Sequence, residues 1–278
     1  GKIDFDDSAV YEMISRGDTD GVFQLESGGM QSFMKDLAPT SIEDIIAGIS
    51  LYRPGPMDSI TKFVEKQHNP QKVKFLHPLL KPILEQTYGC IVYQEQVMKN
   101  VQVLAGYTLA RADAVRKMMG KKKLKDLQAE RQVFVHGCPS ILGKPAVEGC
   151  VANGVPEDVA NALWDQMEKF GSYAFNKSHA TCYSWVAYQT AYLKANYPSE
   201  YMAALLSSNL NYINTLTDYM NECQQMGIKV LSPDVNESML RFSSNRAGDI
   251  RFGLGAIKGV GEAAAMSIIA EREKGGMY

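Results

Sequence analysis

Long apolar runs are missing from this 278-residue chain. No stretch approaches the ~18 uninterrupted apolar residues of a membrane span, which excludes an integral helical membrane protein. The opening Gly1-Lys2-Ile3-Asp4-Phe5-Asp6-Asp7 carries no apolar core of a secretory signal. Cysteine is scarce as well. Cys90, Cys138, Cys150, Cys182 and Cys223 form an odd, scattered set with no Cys-x-x-Cys, which excludes a disulfide framework and predicts reduced thiols. These features predict a cytoplasmic protein. An excess of charge of one sign is also lacking: 29 Lys+Arg stand against 31 Asp+Glu, a net −2, and by that average alone the chain is no nucleic-acid binder. With 45% apolar and 22% charged residues, disorder, collagen-like repeats and coiled coil are excluded as the main architecture. The chain opens on Gly1, and its last element runs to Met277-Tyr278 without a clear stop. Both ends predict a piece cut from a longer protein.

What is present is mostly helical periodicity. Tyr93, Val97, Val101 and Leu104 recur every three to four residues and end at Gly106. A second helix is expected from the cap Thr108 to Met119, with Gly120 just past its end. In a third, Ser178 caps and His179, Tyr183, Val186, Thr190, Leu193 and Tyr197 form one stripe; Pro198 stops it and starts the next helix, through Leu206. Residues 240–254 alternate about Asn245-Arg246-Ala247-Gly248, placing Leu240, Phe242, Ile250, Phe252 and Leu254 on one side of a β-hairpin. Gly21–Leu25 and Ile228–Leu231 are candidate short strands. The fold class read from this is mainly α with a small β-hairpin (α+β). Arg53-Pro54-Gly55-Pro56 predicts a rigid turn that aims Arg53, and the Gly- and Pro-rich Gly137–Pro156 predicts a surface insertion.

The balanced total conceals one concentration of charge. Arg111, Arg116, Lys117, Lys121, Lys122, Lys123 and Lys125 accompany a single acid, Asp113: a local +6 that leaves −8 for the rest. Cations gathered at a helix end suit a polyanion, since Arg grips phosphate with a planar fork and Lys adds mobile charge. The other reading is a solvated helix end complementing the macrodipole. In Phe170–His179, Lys177, Ser178 and His179 open a helix, where free N–H groups favour an anion, and Tyr173 and neighbouring aromatics could stack on a base or sugar; a plain cap beside a packing patch is the alternative. Lys258-Gly259-Val260-Gly261 before a helix is either the hairpin of a phosphate-holding helix-hairpin-helix motif or a simple glycine turn. Three further patterns are weaker than their structural alternatives. Asp18-Thr19-Asp20, between Gly17 and Gly21, reads as a turn rather than a metal pair. His136, Cys138 and Cys150 lack zinc-ligand spacing. His179 and Cys182, one turn apart, have no orienting partner, so a small buried thiol is expected at Cys182.

Taken together, these segments resemble one family: the α subunit of bacterial DNA polymerase III, the family C replicative polymerases. The matching stretches are Arg16-Gly17-Asp18-Thr19 with Gly21–Ser27, Tyr52–Pro56, Thr87-Tyr88-Gly89 with Tyr93–Met98, and Gly106–Leu109. Arg116-Lys117 with Met119–Lys122, Phe175–His179, Tyr188-Gln189-Thr190 and Gly255–Gly261 continue the series. Their colinear order spans nearly the whole chain. The resemblance implies a polymerase fingers domain over residues 1–227, a β-hairpin segment over 228–256 and the start of a helix-hairpin-helix module over 257–278. It implies binding of the incoming deoxynucleoside triphosphate by Arg116, Lys117, Lys121, Lys122, Lys177, Ser178, His179, Arg53 and Tyr173, and of primer-template DNA by Lys123, Lys125, Lys258, Gly259 and Gly261. Many relatives carry Arg-Arg where this chain has Arg116-Lys117, and Lys lacks the bidentate fork. The Mg²⁺-holding aspartates belong to the family's palm, which by the family's order lies upstream of Gly1, so this chain is expected to bind without polymerising alone and to hold no metal. Sliding clamp and proofreading exonuclease are implied partners through other regions, with no membrane partner. The alternative function is a self-contained, non-catalytic helix-hairpin-helix nucleic-acid-binding module.

Overall fold

A computed structural model describes residues 3–53, 56–121, 124–140, 146–171 and 173–278. In chain order the α-helices are α1 (Ser8–Arg16), α2 (Gly28–Leu37), α3 (Ile42–Leu51), α4 (Met57–His68), α5 (Lys81–Leu84), α6 (Gln94–Ala105) and α7 (Leu109–Gly120). They continue as α8 (Leu124–His136), α9 (Glu157–Gly171), α10 (Lys177–Asn196), α11 (Pro198–Ser208) and α12 (Ile213–Gln225). Strands β1 (Val230–Leu231), β2 (Ser243–Ser244) and β3 (Ile250–Arg251) precede α13 (Glu262–Gly275). The chain divides into two compact units. One is Pro39–Trp185; the other joins Gly1–Ala38 to Val186–Tyr278.

In the unit 39–185, local chemistry sets the helix ends. Ser41 and Asp44 form a capping box on α3. Gly106, at φ 74°, closes α6: its N–H donates to the Gln102 carbonyl at 3.1 Å and the Tyr107 N–H to the Val101 carbonyl at 3.4 Å. Thr108 caps α7 by accepting from the Arg111 N–H at 3.3 Å. Two expected ends shift. Gly120 is the last residue of α7 rather than the residue beyond it, because the Lys121 N–H still reaches the Lys117 carbonyl at 3.1 Å with φ −94°, so no left-handed closure is needed. Helix α10 starts at Lys177, and its side-chain cap is Asn176, whose Oδ1 accepts from the His179 N–H at 2.8 Å; Ser178 lies inside the first turn.

The core of this unit gathers Val97, Val101 and Leu104 of α6, Ala112, Val115 and Met119 of α7, Phe134 of α8 and Trp164 of α9. Phe134 and Trp164 lie 5.3 Å apart, a tilted aromatic pair at its centre. The expected surface insertion is a structural part of this core. Cys138 and Val147 form an antiparallel bridge, the Cys150 N–H bonds the Phe134 carbonyl at 2.8 Å, and Val147, Cys150 and Val155 are buried. Gly137 at φ 81° and Gly149 at φ 85° pack so closely that a Cβ on either would sit 2.3–2.4 Å from the other strand's backbone. The glycines that read as looseness are what let the two strands touch.

In the other unit α1 packs on α2. Gly21–Leu25 is a run of turns, not a strand: Gly21 (φ 74°) and Gln24 (φ 63°) are left-handed, and the buried Thr19 hydroxyl donates to the Leu25 carbonyl at 2.6 Å. The sheet order is β1-β3-β2, with β2 and β3 antiparallel as the expected hairpin and β1 joining parallel to β3 within the expected 228–231 strand. The hairpin's alternation is real: Phe242 and Phe252 stack edge-on at 4.6 Å, and Phe242 and Ile250 pack with Met202 and Leu206 of α11. Pro198 opens α11 at its first position, as expected. Leu254 packs on Ala265 and Ile269 of α13.

Candidate nucleotide and DNA-binding site

In the unit 39–185, the extended strip Tyr173-Ala174-Phe175 organises the expected cations. It is held in place by the segment that leads into α6: the Phe175 N–H donates to the Val92 carbonyl at 3.0 Å, and the Gln94 N–H returns a bond to the Phe175 carbonyl at 2.9 Å. Arg53, just past α3, anchors its Nε on the Ser50 carbonyl at 2.8 Å. Its terminal nitrogen donates to the Tyr173 carbonyl, and its guanidinium lies 4.3 Å over the Phe175 ring. Partial burial holds the Arg53 pKa below the ordinary arginine range. Pro54 and Gly55, which make the expected rigid turn, lie outside the described residues.

Arg116 approaches the same strip from α7. Its Nη1 donates to Gln94 Oε1 at 3.1 Å, and Gln94 Nε2 donates in turn to the Ala174 carbonyl at 3.2 Å. Its other two nitrogens hold Asp113 Oδ1 at 2.9 and 2.7 Å, while Lys117 Nζ takes Asp113 Oδ2 at 2.7 Å. Hydrogen bonds from Lys117 and Arg116 hold the Asp113 carboxyl below the usual range. The exposed His179 ring lies 5.5 Å from the Phe175 ring and 4.5 Å from that of Tyr183, an aromatic row. Tyr173 is 38% exposed, enough to present its ring.

Lys177 takes a different position from the one its sequence implies. Its ammonium pairs with Glu43 at 3.0 Å and reaches Gln86 at 3.1 Å. Its backbone N–H donates to both oxygens of the Glu95 carboxylate (3.2 and 3.0 Å), which also accepts from Asn176 at 3.1 Å. The positive end of α10 thus already holds an anion, the chain's own Glu95. Ser178 is exposed.

The basic run is dispersed by its helix. Arg111 turns to Glu130, with bonds of 2.7 and 3.1 Å, and to Cys138 Sγ at 3.4 Å; the hydrogen bond to Glu130 raises its pKa. It leaves the phosphate-binding candidates and becomes a tie between α7 and α8. Lys121 and Lys125 are exposed; Lys122 and Lys123 lie outside the described residues. In the other unit Lys258, Gly259 and Gly261 are exposed ahead of α13, Gly259 left-handed at φ 88°. Gln94, Glu95 and Asp113 were not among the expected site residues. The available signal, for the first two, was the polar Gln-Glu-Gln that opens α6.

The weaker patterns resolve as structure. Asp18 pairs with Arg16 at 2.7 Å, and the Asp18 and Asp20 carbonyls accept from Lys194 at 3.0 and 2.9 Å, which makes Asp18-Thr19-Asp20 a turn. Among the described residues no group of three or more His, Cys, Asp or Glu is placed to hold a metal ion. Contrary to expectation, Cys182 is exposed, whereas Cys150 and Cys223 are buried and burial pushes their thiols up to about 12 and about 11. Maleimide at pH 8 is expected to modify Cys182 rapidly and Cys150 and Cys223 only after unfolding, as peptide mass spectrometry would show.

The family model of the bacterial DNA polymerase III alpha subunit finger domain matches residues 1–141. The chain belongs to the bacterial DNA polymerase III α-subunit family. A helix-hairpin-helix motif matches residues 227–278 of this family member, over the sheet and α13. The chain is 45% identical to DNA polymerase III subunit alpha of Thermus aquaticus over 100% of its length, and 42% identical to that of Escherichia coli strain K12 over 99%. It spans only 22% and 23% of those two polymerase subunits. No helix among the described residues is long and apolar enough to cross a membrane.

Proposed function

We propose that this chain is the nucleotide- and template-gripping fingers part of a replicative DNA polymerase. One observation carries the reading: in a member of this family, Arg53 from the segment after α3 and Arg116 from α7, the latter through Gln94, converge with His179 on the single strip Tyr173–Phe175. Two forks and a stacking row on one rigid backbone strip form a receptor for a triphosphate and its base. The carboxylate of Asp113 marks where anionic oxygens are accepted, since it occupies the Arg116 and Lys117 donors. Phosphoryl transfer depends mainly on positioning and on neutralising charge that builds on the leaving pyrophosphate, so these groups need supply no general base. Lys121 and Lys125, and the hairpin Lys258–Gly261, add sequence-independent phosphate contacts to primer-template duplex. The Mg²⁺-holding aspartates, the sliding clamp and the exonuclease contacts are assigned to polymerase sequence outside this chain, and cytoplasmic replication is the setting. By itself the chain binds without extending a primer.

Deletion of Gly259–Tyr278 separates this reading from a self-contained helix-hairpin-helix module. Titrated with a deoxynucleoside triphosphate and, separately, with primer-template duplex, the shortened chain is expected to keep nucleotide affinity and to lose only part of its DNA affinity, with a smaller salt slope. Loss of all DNA binding, with no nucleotide binding in either form, would assign the chain to the module alone.

A further inference from the structure

One apolar cavity, lined throughout by residues of the unit 39–185, plays no part in the site above. It holds about 350 Å³, within the roughly 300–1,000 Å³ of ligand pockets. Phe63, Leu80 and Leu84 form a fully buried floor, and Leu76 stands 41% exposed at the mouth. The rim is of one sign. Lys62 and Lys66 come from α4, Lys74 from the segment after it and Lys169 from α9, and no Asp or Glu lines the cavity among the described residues. None of the four pairs with a carboxylate among those residues, in contrast to Arg111, Arg116, Lys117 and Lys177 of the same unit. Lys66 leans inward: its ammonium lies 3.8 Å from where a Cβ on Gly89 would stand, and it reaches the neighbouring Cys90 thiol, also in the wall.

An apolar chamber excludes a polyanion such as nucleic-acid backbone, which would strand its charges against Phe and Leu. Lysines without a carboxylate partner at the mouth likewise disfavour a cationic guest and add nothing for a neutral one. We infer that this cavity is a binding site for a small amphipathic anion: an apolar or aromatic body on the Phe63–Leu84 floor, with a carboxylate or phosphate head held by Lys62 and Lys66. The site is independent of the proposed nucleotide reading, although Val92 lines it and also carries the carbonyl that anchors Phe175.

Isothermal titration of the chain with 2-naphthoate, 2-naphthyl phosphate and neutral 2-naphthalenemethanol tests the inference. At least one anion is expected to bind at least tenfold more tightly than the alcohol, about what one charge-assisted contact supplies. The stronger of the two identifies the head group. Lys62→Gln/Lys66→Gln is expected to remove that preference while leaving alcohol binding unchanged. Should this variant lose its helical circular dichroism, Lys66→Gln alone, at the lysine that leans inward, serves the same comparison. Equal binding of alcohol and anions, failure of both anions to bind, or an anion preference that survives in a folded lysine variant would overturn the inference.

Discussion

Arg116→Ala, made in the complete polymerase, is expected to lower kcat/KM for deoxynucleotides by about 10²–10³-fold, the usual cost of removing one preorganised donor from developing negative charge. The geometry supports an effect of that size. Arg116 is braced by Gln94 at 3.1 Å and only a quarter exposed, so its fork is positioned before substrate arrives. Arg116→Lys keeps the charge and loses the fork, and should fall between the two. Asp113→Asn offers the opposite test: with its competing carboxylate neutralised, Arg116 and Lys117 should bind triphosphate more tightly, lowering KM. Steady-state kinetics with a thermal-unfolding control reads all three. An unchanged kcat/KM in Arg116→Ala would remove the residue from the mechanism.

Lys194→Ala is expected to destabilise the unit built from residues 1–38 and 186–278 by about 3–5 kcal/mol, the range for breaking a buried ion pair from one side. Lys194 is 1% exposed and donates to Glu222 at 2.6 Å and to the carbonyls of Asp18 and Asp20. All three protons of the ammonium are therefore used, and the turn, α10 and α12 share one knot. Its loss leaves a carboxylate and two carbonyls without their donor. Lys194→Met/Glu222→Leu removes the stranded carboxylate and should recover part of the loss, but not all, because the two carbonyls still lack a partner. Urea unfolding of the three proteins measures this, and full recovery in the double variant would show that the carbonyl contacts contribute nothing.

Lys194 also shows what the linear pattern conceals. It sits on α10, where the expected stripe is the wrong face: Val186, Leu193 and Tyr197 are exposed, and Ala180, Ser184, Ala187, Tyr188 and Ala191 are buried on the same side as Lys194, because small residues and the knot with Asp18, Asp20 and Glu222 admit closer packing there than the larger side chains do. The helices α6, α7 and α11 were legible because their period, Thr108, Gly106 and Pro198 act within a few residues; for α10 only the extent was, not the buried face. The same locality explains the hairpin, where Phe242 and Phe252 alternate onto one face. Gly21–Leu25 misled because an apolar run says nothing about φ, and Gly21 and Gln24 are left-handed. Gly137–Pro156 misled for the converse reason: glycine there serves close packing of two backbones, which depends on a strand that only the fold brings alongside.

For the site, the sequence by itself determined which residue types were available and, through their colinear order, the family to which they belong. It could not tell which cations act together. Arg111 and Arg116 stand five positions apart on one helix, which at 3.6 residues per turn points them about 140° from each other. One faces α8 and is consumed by Glu130; the other faces Gln94 and the Tyr173–Phe175 strip. Likewise the start of α10 carries the backbone donors of an anion site in any sequence reading, yet Glu95, 82 residues away, fills them. Charge along a chain is additive and local, whereas the field at a site depends on which opposite charges the fold places within about 3 Å, and that pairing was decided by tertiary structure alone.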